Sequence, residues 1–298
     1  MKALVAGWFS FDGMGATAGD LLARDVACDW LRRADVPFDV AHSSNFDGGV
    51  EWSMADTGAY SHLVFVCGPL GNGEPVTDLF ARFDHCRLVG LNLSMLQSIE
   101  EWDPFDLLLE RDSSREARAD LTFVSANPHV PVVGKVLVHP QREYANPLHR
   151  QENEALDRLL SSREVATVQI DTCFDPPNAT GLRTPGEVES VIARMDVVVT
   201  TRLHGMVLAL KNGVPVPALD PIAGGAKIRR QAQTIDWPVC FTADDVSDDR
   251  LGAALDHCLG EEARAAAVAC ATRAAAAVRR TGDEFMAYLE HDRTSMEG

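Results

Sequence analysis

Arg202 and His204 stand one residue apart, just beyond the apolar run 196–200 (DVVVT). An arginine fork can hold a carboxylate or phosphate through two parallel hydrogen bonds. An imidazole, whose ordinary pKa is about 6.5, can take up or deliver a proton near neutrality. The residues that follow, 203–212 (LHGMVLALKN), have helical spacing and stop at Gly213. Thr201, Arg202 and His204 therefore fall at a strand-to-helix junction. Unpaired N–H groups and the positive end of the helix dipole meet there, and both favour an anion. A histidine met alone is more often a satisfied core residue. One beside an arginine at such a junction is better read as functional.

Further polar residues follow other apolar runs: His139, Gln141, Arg142 and Glu143 after 135–139 (KVLVH), and Asp171 and Asp175 after 165–170 (VATVQI). Asp220 and Lys227 follow 214–219 (VPVPAL). If these runs are parallel strands, all of these residues gather on the carboxyl edge of one sheet, where such sheets bind ligands. Lys227, which follows Gly224 and Gly225, suits an anion contact, and His139 can face a ligand. Asp171 and Asp175 have the chemistry of a base or a metal ligand, but loop aspartates are more often solvated or capping.

The elements that must position these groups are legible as alternating strands and helices. In the first half, strands are expected at 2–7, 37–41, 62–67, 88–93 and 106–110. A glycine loop (Gly7, Gly13, Gly15, Gly19) follows the first strand, and Asp20 is placed as the N-cap of a helix carrying Leu21, Leu22, Val26 and Leu31. The turn 68–73 lacks the Gly-Lys-Ser/Thr of a phosphate loop and is read as structural. The pattern restarts near residue 135, with strands at 135–139, 165–170, 196–200 and 214–219. Helices are expected at 148–160, 185–194, 203–212 and 260–290. The reading is an α/β chain of two Rossmann-like domains, 1–130 and 131–298, each with a parallel sheet, facing across a cleft. The alanine-rich last helix has the composition of a segment that packs back on the first domain.

Composition excludes several classes. With 27 basic against 44 acidic residues, the formal net charge is -17, which repels nucleic acid and anionic membrane surfaces. An anionic substrate therefore needs a local cluster of cationic side chains. The seven cysteines show no CxxC spacing, so neither a zinc site nor a disulfide framework is expected, and no metal is assigned. No apolar run reaches the roughly 18 residues of a membrane span, and the first ten residues lack the shape of a signal peptide. The expected setting is cytoplasmic.

The run DVVVTTRLHGMVLALKNGVPVPALD (196–220) resembles the signature of the polysaccharide pyruvyl transferase family, with its Arg-Leu-His core and the Gly-Val-Pro that follows. Other segments are similar in the same order. The glycine loop ends in Gly19-Asp20, Arg111-Asp112 with Ser114 resembles the motif closing the first domain, and His139 with Arg142 resembles the opening of the second. Lys227 resembles a downstream lysine. The chain departs from the pattern in a longer loop at 11–18, in Gly68-Pro69-Leu70-Gly71, and in Asp220 where an aromatic is expected.

The resemblance implies a GT-B-like architecture and transfer of the enolpyruvyl group of phosphoenolpyruvate to hydroxyls of a sugar-type acceptor. A ketal forms and phosphate is released, as in polysaccharide or glycoconjugate biosynthesis, with no cofactor beyond the donor. On matching positions it implies that Arg202 and Arg142 bind the donor's carboxylate or phosphate and that His204 is the acid/base. Thr201, His139, Lys227 and Asp20 complete the expected binding set. Glycosyl transfer from a nucleotide sugar, and a non-catalytic anion-binding homologue, stand as alternatives.

Overall fold

A computed structural model of the chain describes all residues except 113–114, 140–148, 176–177, 223, 225 and 297–298, and all of their side chains except those of 149 and 294–296. The chain divides into two compact units, Met1–Pro128 and His129–Gly298. Each is built on its own parallel five-stranded sheet.

Unit 1 contains β1 (Ala3–Ala6), α1 (Ala18–Arg33), β2 (Phe38–Val40), β3 (His62–Leu70), α2 (Val76–Arg82), β4 (Arg87–Met95) and β5 (Leu107–Glu110). Unit 2 contains β6 (Val132–Val136), α3 (His149–Ser161), β7 (Ala166–Gln169), α4 (Pro185–Ile192), β8 (Val197–Thr200), α5 (Leu203–Lys211), β9 (Ala218–Asp220), α6 (Lys227–Thr234), β10 (Cys240–Thr242), α7 (Asp248–Cys258) and α8 (Glu261–Met296). The spatial orders are β2-β1-β3-β4-β5 and β10-β9-β8-β6-β7. Counted within each unit, both are the doubly wound order 2-1-3-4-5. The connections reverse direction between β1 and β3 in unit 1 and between β6 and β8 in unit 2. A ligand crevice opens at such a reversal, beyond the carboxyl ends of the strands.

Strands β1 and β8 are buried along their whole lengths, as befits parallel strands covered on both faces. Val197, Val198 and Val199 lie in the unit 2 core with Val133, Val136, Met206 and Leu210. Helix α8 packs on α5 and α7 through Ala263, Ala267 and Cys270, which are buried.

Several boundaries differ from the sequence expectation, each for a local reason. The strand expected at 135–139 runs instead over Val132–Val136, because Val132 N–H bonds the Asp196 carboxylate and fixes the register three residues earlier. His139 thus lies in the loop beyond the strand. The strand expected at 214–219 shrinks to Ala218–Asp220. Val198 and Thr200 donate to the carbonyls of Pro215 and Pro217, but neither proline has an N–H to complete a ladder. Helix α1 begins three residues earlier than expected. Thr17 is its N-cap, and Asp20 is the third helical residue of a capping box. Strand β3 continues through the expected turn at Gly68 to Leu70. Elements α2, α6, β10 and α7 had no sequence assignment.

Candidate functional site

The carboxyl edge of unit 2 is assembled from the ends of β6, β7 and β8. Thr200 closes β8 with its hydroxyl inside the fold, donating to Val136 O at 2.7 Å and accepting the Arg202 N–H at 2.9 Å. Gly205 is the residue that lets α5 come this close. A Cβ there would stand 2.2 Å from Thr200 Oγ1 and 2.9 Å from Val136 Cγ1. The glycine in Arg-Leu-His-Gly is therefore a packing requirement that seats α5 against β8.

Arg202 is the N-cap of α5 in extended conformation (φ -122°, ψ 134°), and its side chain makes no capping bond. The first turn of α5 is thus open, whereas α1, α4 and α7 are capped by the side chains of Thr17, Thr184 and Ser247. The guanidinium instead reaches Asp171, with Nη1 donating to Oδ1 at 3.2 Å. Asp171 Oδ1 also accepts the Cys173 N–H at 2.8 Å, and Oδ2 accepts from His139 Nε2 at 2.7 Å. Asp171 is the hub of this cluster: its side chain is 8% exposed, against 19% for Arg202 and 47% for His139. Among the described residues nothing occupies Nε or Nη2 of Arg202, so one edge of the fork is anchored and the other is available to an anion. His139, holding its Nε2–H on a carboxylate, presents Nδ1 as its second functional atom. This is the arrangement by which a buried carboxylate orients an acid/base imidazole.

His204, the second residue of α5, is exposed and bonds to none of the described residues. The structure therefore brings His139, Asp171 and Arg202 into direct contact at the reversal point, with His204 on the adjoining helix turn. Thr201 lies here too, but as a strut. Its buried hydroxyl donates to Asn153 Oδ1 and accepts the Val138 N–H, both at 2.9 Å, so it holds the β6 loop and its hydrogen is spent inside the fold. Lys227 opens α6 and is half-buried. Arg142 lies outside the described residues.

Asp220 has a role that its sequence context signalled only as a polar residue on the edge. It is 1% exposed. Its Oδ2 accepts the N–H groups of Ala226, Ile228 and Arg229 at 2.7, 3.1 and 3.0 Å, and Oδ1 that of Ile222 at 3.2 Å. The amino end of α6 is thus already occupied by a carboxylate of the protein itself. An aspartate six residues ahead of a polar helix was the available signal. The role of Asp171 in joining His139 and Arg202 had none, because its partners lie 31 and 32 positions away.

At the corresponding edge of unit 1, the reversal point is filled. Gly68 (φ 89°) receives the Trp8 indole: a Cβ on Gly68 would fall 2.3 Å from the ring, and Trp8 Nε1 donates to Pro69 O at 3.1 Å. Asp20, expected to bind substrate, is buried, and its Oδ2 accepts both the N–H and the hydroxyl of Thr17 at 2.7 Å. Arg111 is likewise tied down, by Asp120 at 2.9 Å and Ser94 at 2.7 Å. Burial pushes the Asp120 carboxyl up, but hydrogen bonds from Thr122, Arg111 and Asn92 outweigh it and bring it down to about 2. Among the described residues, no three His, Cys, Asp or Glu side chains come together as metal ligands, and no helix is long and apolar enough to cross a membrane.

Residues 119–221 match the family model for polysaccharide pyruvyl transferase. That segment holds His139, Asp171, Arg202, His204 and Asp220. No curated protein matches the chain. Among solved structures, the chain is similar to CalG4, the calicheamicin glycosyltransferase, with 13% identity, coverage of 97% of this chain and 98% of that one, and a TM-score of 0.37. It is similar to the UDP-GlcNAc 2-epimerase of Methanocaldococcus jannaschii in complex with UDP-GlcNAc and UDP, with 9% identity, coverage of 88% and 93%, and a TM-score of 0.31. The kitacinnamycin glycotransferase is 12% identical, with coverage of 92% and 94% and a TM-score of 0.32.

Proposed function

We propose, with support from the family match over residues 119–221, that the protein moves the enolpyruvyl group of phosphoenolpyruvate onto two hydroxyls of a sugar-containing acceptor. Two C–O bonds form at the central carbon of the donor and its bond to the phosphate oxygen breaks. Of the two hydroxyl protons lost, one ends on the donor's methylene carbon, which becomes a methyl group, and the other leaves with phosphate. The donor carries its own leaving group, so the reading requires no further cofactor. A cytoplasmic setting fits a chain whose seven cysteines are all free thiols.

The observation that carries the reading is Asp171 holding Arg202 and His139 together at the uncapped head of α5. In this reading the open edge of Arg202 and the first-turn N–H groups bind the donor's carboxylate or phosphate. The reaction needs two proton transfers, and two imidazoles are at hand: His204 on α5, and His139 fixed by Asp171. Arg142 and Lys227 supply further positive charge to the donor.

The test is incubation with phosphoenolpyruvate and a panel of sugars, following phosphate release and the ketal methyl signal by NMR. His204→Ala is expected to lower turnover by at least about 10²-fold, and Arg202→Ala to abolish saturation by the donor. Unchanged turnover in His204→Ala would remove that residue from the chemistry. Release of a nucleoside diphosphate from a nucleotide sugar, with no phosphate released from phosphoenolpyruvate, would overturn the reading.

A further inference from the structure

Unit 1 holds a cavity of about 750 Å³ beside its blocked reversal point, between the loops that follow β1 and β2. Its walls are fixed by contacts internal to the unit. Ala41 and Val50 form a parallel bridge, the Ser10 hydroxyl donates to Ala41 O at 2.6 Å, and Asp12 Oδ1 accepts the N–H and hydroxyl of Ser44 at 3.0 and 2.8 Å. Arg82 secures the far side by donating to the carbonyls of Trp52 and Ala55 at 3.1 and 3.0 Å. The cavity is therefore formed before any ligand arrives.

Three properties of the wall define what fits. First, it carries three carboxylates, Asp12, Glu51 and Glu74, and no lysine or arginine. His42 is held in the wall, with Nδ1 at 3.1 and 3.0 Å from the carbonyls of Asp47 and Gly48 and Nε2 at 3.0 Å from Arg24 Nη1. Second, the wall holds the Trp52 indole, braced edge-on by Phe11 at 5.9 Å between ring centroids. Such a face takes the C–H side of a sugar ring, and its negative quadrupole also attracts an ammonium group. Third, Ser43, 7% exposed, lines the cavity, and its buried hydroxyl has no hydrogen-bond partner among the described residues. A buried polar atom left unpaired in a cavity wall is one that a bound hydroxyl can satisfy.

We infer that this cavity binds a pyranoside that is neutral or amino-bearing and rejects one bearing an acidic group. Its assignment as the acceptor site rests on the pyruvyl-transfer reading; the binding itself does not. Carboxylates accept hydroxyl and ammonium hydrogens, the indole covers the apolar ring face, and a wall with three carboxylates and no lysine or arginine repels an acidic sugar.

The probes are methyl glycosides of glucose, galactose and mannose, each in its neutral, amino and uronic acid form, titrated into the full chain without phosphoenolpyruvate and followed by NMR. In at least one series the neutral or amino form is expected to bind about 10-fold or more tighter than the uronic acid. Trp52→Ala is expected to weaken that binding by about 10-fold. Because Trp52 also packs on the core, a second variant, Glu74→Lys at an exposed wall position, reverses local charge without touching packing. It is expected to bring the uronic acid within about 3-fold of the neutral form. Equal or tighter binding of the uronic acids by the unmodified chain would overturn the inference, as would absence of binding in all three series, or binding indifferent to both substitutions. The donor reading fails separately, through loss of phosphoenolpyruvate-dependent phosphate release while glycoside binding persists.

Discussion

Replacing Asp171 with asparagine changes one atom and separates the two jobs of this side chain. Asp171 accepts three N–H groups, from Cys173 at 2.8 Å, His139 at 2.7 Å and Arg202 at 3.2 Å. In Asp171→Asn, Oδ1 still accepts from Cys173 and Arg202, so the loop and the guanidinium stay in place. The new NH₂ group, however, confronts the Nε2–H of His139. The imidazole must move its proton to Nδ1 to accept there, which removes the free lone pair from the atom that faces outward. The lost bond is charge-assisted and worth about 1.5–3 kcal/mol. Loss of the correct tautomer is expected to lower kcat by about 10²–10⁴-fold. The KM for phosphoenolpyruvate is expected to change by less than about 10-fold, since Arg202 remains anchored. Asp171→Ala frees Arg202 as well, so its KM rises and its kcat falls. Steady-state phosphate release gives both constants, and the ring ¹⁵N shifts of His139 report the tautomer directly. An Asp171→Asn enzyme with kcat within about twofold of the parent, despite a switched tautomer, would refute the claim that His139 moves a proton.

Three further outcomes follow from the packing and the charges. Gly205→Ala, which in an open helix gains up to about 1 kcal/mol, is expected here to cost about 1–3 kcal/mol, because the new methyl would stand 2.2 Å from Thr200 Oγ1. Tm is expected to fall by about 2–4 °C per kcal/mol, and a stabilised variant in a thermal melt would contradict the seating of α5. Asp120, held down to about 2 in the fold against about 3.9 unfolded, adds stability that is present above the unfolded value and lost as pH falls toward 2. The contribution is at most about 2 kcal/mol for a side chain one-quarter exposed, and Asp120→Asn is expected to flatten that part of an acid titration of stability. Glu152 shifts the other way. It is 1% exposed with both oxygens unpartnered among the described residues, and its carboxyl is pushed up by burial and by Asp244, with Arg158 opposing. Its stabilising contribution is present at low pH and lost as pH rises through the raised value. Glu152→Gln is therefore expected to melt higher than the parent near pH 8 and to lose that advantage near pH 4, which melts at the two pH values would check.

The parts of this architecture that repeat along the chain were legible before any coordinates. Buried strands such as β1 and β8 are short runs of apolar residues, and α5 could be placed between Thr200 and Gly213 because valines, a helical period and a terminal glycine occur in order. Arg202 and His204 could be singled out for the same reason. What escaped was set by partners distant in sequence. Thr201 sits on the right edge but spends its hydroxyl on Asn153 and Val138. Asp20 has the composition of a ligand contact and the hydrogen bonds of a helix cap. Asp171 reads as an ordinary loop aspartate until the fold supplies His139 and Arg202. Prolines 215 and 217 hid a boundary in plain view, since an apolar run reads as a strand whether or not its nitrogens can donate. Helix α6 is so polar, with Ile228 and Ala232 its only buried residues, that its period carried little signal.

The carboxylate of Asp220 at the head of α6 has a consequence for the size of the donor. Two neighbouring strands, β8 and β9, feed two helices whose amino ends both open on the same edge, and a chain of phosphates could in principle plug into the pair. One of those sockets is filled from within by Asp220, which engages Ala226, Ile228 and Arg229. A second phosphoryl group reaching toward α6 would meet a resident negative charge. Under the pyruvyl-transfer proposal the donor brings one phosphate to this edge, and the uncapped head of α5 is the terminal left for it.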